Sequence, residues 1–83
     1  MILADRIRQY VLEKKITPAR QQDRLNVTIV AGEIHAEMGL ENRIPAVCGA
    51  LDAEKFLDYA SIRLIERRGP RQGSKAEWVF ALR

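Results

Sequence analysis

A chain of 83 residues, 47% apolar and 30% charged, has the composition of one small globular domain with a single core; it leaves no room for a second domain, and neither a repeat nor a disordered tract is visible. The lone cysteine, Cys48, excludes an internal disulfide, and no apolar run reaches signal-peptide or membrane-span length, so a cytoplasmic protein without a membrane partner is expected. The net charge of +3 is unevenly spread: residues 1–24 and 61–83 carry +3 and +4, whereas 25–42 and 43–60 carry −3 and −1, so a polyanion would be held mainly by the two ends of the chain.

Leu3, Ile7, Tyr10 and Val11 recur at helical spacing, with Asp5, Arg6, Arg8, Gln9 and Glu13 on the other face, and predict a helix over about 2–15. The pattern then dissolves in KKITPARQQDRLN. Thr17-Pro18 can cap a short turn, but too few apolar residues follow to bury it, and 15–26 reads as a mobile basic connector. Leu25, Val27 and Ile29 alternate with polar residues, which suits a short edge strand at 27–29 with one buried face.

A helix over about 31–38 comes next, with Ile34 and Met38 inward and Glu33, His35 and Glu37 outward. Gly39 closes it, because glycine tolerates the left-handed conformation of a helix C-terminus. Leu40 plugs the angle between helices, and Asn42 is expected to cap the next one, where Pro45 is tolerated in the first turn. That third helix, 43–51, carries the stripe Ile44, Val47, Cys48 and Leu51. Phe56 and Leu57 fall off the stripe by about 100°, so a bent continuation to 60, or a fresh short helix capped by Asp52, follows. The tail, 62–82, is a hairpin: Trp78, Phe80 and Leu82 alternate onto an inner face shared with Ile62 and Leu64, and RGPRQGSK supplies the turn.

Helix, strand, helix, turn, helix, strand, basic loop, strand is an order that resembles the winged helix-turn-helix superfamily from Met1 to Arg83. The match is carried by AGEIHAEMGLENRIPAVCGAL, with Ile34, Gly39, Leu40, Val47 and Leu51, and by the hairpin loop RRGPRQGSK. The resemblance implies an α+β fold: a three-helix core, a small antiparallel sheet and a C-terminal wing. It also implies double-stranded DNA as partner, with the third helix in the major groove and the wing on the backbone or in the minor groove, in a transcriptional regulator or a DNA-targeting subunit. Winged helices serve as protein-interaction modules as well, so fold alone does not decide.

Arg67, Arg68, Arg71 and Lys75, with Gln72 and Ser74 as neutral donors, form a cationic loop able to follow phosphates; the competing reading is a solvated hairpin tip. Asn42 and Arg43 open the third helix, where asparagine suits adenine and arginine suits guanine, although Asn42 has its capping task. Ala46, Gly49, Ala50 and Ala53 make a face almost without side chains, fit for close approach of DNA, of a protein partner, or of the domain's own first helix or wing strand. His35 and Cys48 lack the further ligands a metal needs, Cys48 belongs to the apolar stripe, and Trp78 is most simply core, with base stacking as the alternative. Glu33 and Glu37 read as solvated, and no phosphate-cradling glycine loop or catalytic triad spacing is present. The expectation is a DNA-binding protein, not an enzyme, without metal or cofactor, monomeric or weakly dimeric, with helix 31–38 or 43–51 as the alternative seat of a protein partner.

Overall fold

The computed structural model describes residues 2–83. Its elements are α1 (Leu3–Val11), a π-helical stretch (Leu12–Ile16), α2 (Thr17–Gln21), β1 (Asn26–Val30), α3 (Ala31–Glu37), α4 (Ile44–Asp52), α5 (Glu54–Ala60), β2 (Arg63–Arg68) and β3 (Glu77–Ala81). Helices pack on one antiparallel sheet of order β1-β3-β2, an α+β arrangement. The core runs between them: Ile7 and Val11 of α1, Ile34 of α3, Val47 and Leu51 of α4, Phe56 of α5 and Ile29, Trp78 and Phe80 of the sheet are all buried. Phe56 meets Phe80 edge to face at 5.6 Å.

The first helix does not stop where its period breaks. Val11 and Ile16 are both fully buried although five residues apart, a step that a regular α-helix would turn well off the core face. A π-helical turn, closed by i to i+5 bonds, absorbs the extra residue and returns Ile16 and Ala19 to the same face. The mobile connector expected over 15–26 is therefore incorrect through Gln21. The helical path ends only where Asp23 takes a left-handed φ of 58° and the Arg24 amide returns to the Ala19 carbonyl.

β1 is an edge strand, as its alternation suggested, but Leu25 lies outside the buried face, at 69% exposure, with its carbonyl accepting from the Leu82 amide. Gly39 has a φ of 66°, the left-handed value its position requires, and Leu40 packs against the core. Asn42, however, is no cap. It adopts a φ of 53°, Arg43 occupies the capping position, and no side chain caps α4. The turn is held from the preceding helix instead, by His35 Nε2 accepting the Arg43 amide at 3.2 Å.

α4 ends cleanly at Asp52. Ala53 is extended, with ψ of 137°, so the chain restarts as a separate short helix rather than bending. Neither α4 nor α5 is side-chain capped at its start, and Asp52 spends its carboxylate elsewhere. In the hairpin, Ile62 is buried as expected while Leu64 is 45% exposed. A bulge between Leu64 and Glu66 shifts the register: Leu64 pairs with Phe80 and Glu66 with Val79, so Arg67 rather than Glu66 stands opposite Trp78.

Candidate nucleic-acid interface

The bulge determines what the loop can present. Arg67 is turned onto the inner face, its guanidinium 4.7 Å from the centre of the Trp78 ring. Nε and Nη2 reach the two oxygens of Asp52 at 2.9 and 3.2 Å, while Nη1 donates to the carbonyls of Arg68 and Pro70 and Nη2 to that of Arg71. Trp78 buries its ring completely and donates its indole N–H to Asp52 Oδ1 at 2.7 Å. Burial pushes the Asp52 carboxyl up. The hydrogen bonds from Arg67 and Trp78, with the field of Arg67 and Arg71, outweigh it and hold the group below its usual value. Arg67 is raised, first by its hydrogen bond to Asp52.

The loop is tied down at its other end too. The amides of Ala31 and Gly32, which open α3, donate to the carbonyls of Ala76 at 2.8 Å and Ser74 at 2.9 Å, so the loop supplies the caps that α3 lacks in its own side chains. This contact explains Gly32: a Cβ there would stand 2.9 Å from the Ser74 carbonyl oxygen. Cys48 Sγ lies 3.8 Å from the Gly73 carbonyl, in a buried position where desolvation raises the thiol pKa. Instead of a flexible cationic arm, the segment is folded back on the α3–α4 pair.

Of the residues expected to meet DNA, Arg67 is committed to this staple. Arg68 pairs with Glu77 across the hairpin at 2.6 Å and with Glu66 of its own strand at 3.4 Å. Arg71, Gln72, Ser74 and Lys75 are exposed at the tip, and none of their side chains is hydrogen-bonded within the protein among the described residues. Asn42 and Arg43 are exposed at the far end of α4, where the Arg43 side chain reaches only the Asn42 carbonyl, at 3.4 Å. Ala46 is half-buried against the core. Ala50 does not belong to an outward face: it is 1% exposed and packs towards α1, leaving Pro45, Gly49 and Asp52 as the exposed line of α4.

Two arginines of the basic first segment are also spent inside the fold. The last carbonyls of a helix have no intrahelical donor, and Arg8 Nε supplies one to Ala50 at 2.9 Å, near the end of α4. Arg20 Nη2 does the same for Ala60 and Ser61 at the end of α5, at 2.8 and 2.6 Å. A sequence signal existed for Asp52, since a buried tryptophan N–H needs an acceptor. None existed for Arg8 and Arg20, whose partners are 42 and 40 residues away.

A 480 Å³ depression lies between Asp52, Arg67, Gly69 and Arg71, but its acid and its already paired arginine make it a poor seat for phosphate. Among the described residues no three His, Cys, Asp or Glu side chains converge as metal ligands, and no helix is long and apolar enough to cross a membrane. No protein-family model, curated protein or solved structure matches the chain.

Proposed function

We propose that this is a winged-helix domain that binds duplex DNA, with α4 directed to the major groove and the β2–β3 loop to the adjacent backbone, acting as a transcriptional regulator or as a DNA-targeting subunit in the cytoplasm. The observation that carries the reading is the β1-β3-β2 sheet order together with a loop stapled beside the α3–α4 turn-linked pair, its Arg71, Gln72, Ser74 and Lys75 exposed. A fixed loop presents its donors without the entropy cost of ordering an arm at each encounter. Arg71 and Lys75 then supply phosphate affinity, Arg43 and Asn42 the base-edge donors, and Arg67 positions the loop instead of touching DNA.

The test is affinity for arbitrary duplex at several salt concentrations. Each phosphate contact contributes about 0.9 to the slope of log K against log salt, so Arg71→Gln with Lys75→Gln lowers it by about 1.8. An unchanged slope and affinity in that double variant would sink the loop assignment. A protein-interaction module is the second reading, favoured by the exposed line Pro45, Gly49 and Asp52 on α4, which lacks the long donors of a base reader. Absence of any duplex binding at low salt would select it.

A further inference from the structure

The side of the molecule formed by α1 and α5 holds a cavity of about 290 Å³ lined by Asp5, Arg8, Gln9, Lys55 and Tyr59, and its surface is mostly hydrocarbon. Arg8 is 8% exposed, the one charged residue among the buried ones of the described residues. Its Nε is satisfied by the Ala50 carbonyl and Nη1 by Asp5 at 3.1 Å, while Nη2 has no partner among the described residues. Nη2 is not sealed away, because among the described residues no buried side-chain nitrogen or oxygen is left without a partner. Arg8 thus lines the cavity with one guanidinium donor that is neither paired nor fully buried.

We propose that this cavity binds a small organic monoanion, a carboxylate carried on an apolar body. The remaining Nη2 donor can give a carboxylate oxygen one charge-assisted hydrogen bond, and a largely buried guanidinium is held in place before the ligand arrives. Arg8 and Lys55 against Asp5 leave one net positive charge at the lining, which a monoanion neutralises. The Tyr59 ring, half exposed, and the stems of Lys55 and Gln9 offer the apolar wall, and the volume exceeds the roughly 150 Å³ of an apolar cavity that holds benzene, so a benzoate fits with room to spare. Since Arg8 also caps Ala50, a ligand pulling on the guanidinium acts directly on the end of α4. The site stands whether or not α4 meets DNA.

The experiment is a titration of the full chain with benzoate, acetate and inorganic phosphate, followed by amide and arginine Nε–H chemical shifts. Benzoate is expected to saturate below about 10 mM, with shifts confined to Arg8, Lys55, Tyr59 and Ala50, and at least tenfold more tightly than acetate or phosphate. Replacing Arg8 can unfold α4's end, so the deciding variants are Lys55→Gln and Tyr59→Ala, at exposed positions, each weakening benzoate about threefold or more with the remaining spectrum unchanged. Equal binding of phosphate or acetate, scattered unsaturable shifts, or indifference to both variants overturns the proposal.

Discussion

A guanidinium has five donors and no acceptor, so withdrawing one from water is tolerable only where oxygens surround it. Arg67 meets that condition with both oxygens of Asp52 and three main-chain carbonyls, a planar fork that lysine cannot reproduce. Arg67→Lys is expected to lower stability by about 1–3 kcal/mol in urea unfolding, nearly as much as Arg67→Ala; full recovery by lysine would reduce the staple to a simple charge pair. Asp52 has a folded-state pKa below its unfolded value. Its contribution is therefore present above the unfolded pKa, near 4, and lost as pH falls through the lower folded one. The carboxylate is 40% exposed, so solvent screening holds this to about 1 kcal/mol or less. Stability of the wild-type chain should fall more steeply with acidification below about pH 4 than that of Asp52→Asn. Parallel curves for the two would show the carboxylate to be uncoupled from folding.

At the scale of elements, the π-helical turn is what lets one continuous helical path from 3 to 21 serve two parts of the core. Ile16 is fully buried within it, and Arg20, beyond it, reaches the end of α5. The same turn carries Lys15 to Glu37 of α3, at 2.8 Å, where Tyr10 also donates at 2.6 Å; the Glu37 carboxyl is lowered by Lys15 and then by Tyr10. Ile16→Ala should cost about 2–5 kcal/mol in chemical denaturation, the range for emptying a packed aliphatic site. A loss below about 0.5 kcal/mol, typical of surface positions, would return this segment to the status of a connector. Its burial was hidden in the sequence because a five-residue step between Val11 and Ile16 imitates the end of a helical pattern.

Across the whole molecule, the loop, α3 and α4 behave as one block because main-chain bonds from Ala31 and Gly32 join the hairpin to the helix pair. Gly32→Ala inserts a methyl group against the Ser74 carbonyl, an immovable neighbour compared with a side-chain tip, and should destabilise by about 1–3 kcal/mol. If the DNA reading is right, the same variant weakens duplex binding while leaving the salt slope unchanged, since the loop cations remain but lose their fixed geometry. A slope that falls with Gly32→Ala would instead mean that phosphate contacts had been lost outright.

From β1 onward the run of strand, helix, turn, helix and hairpin, the left-handed turn at Gly39 and the aromatic row of β3 were legible in the sequence, because each rests on period, on one residue's backbone preference or on alternation between neighbours, whereas the helical path through 12–21 and the break before α5 were not. The exposed donors of the loop were legible too, as local charge. What only the tertiary structure decided was which charges remain available. One bulge exchanges Glu66 for Arg67 opposite Trp78, Asp52 turns from cap to acceptor, and Arg8 and Arg20 close helix ends some forty residues away. Charge is a property a sequence displays residue by residue. Its neutralisation depends on partners brought within about 3 Å by the fold, and no spacing rule along the chain encodes them.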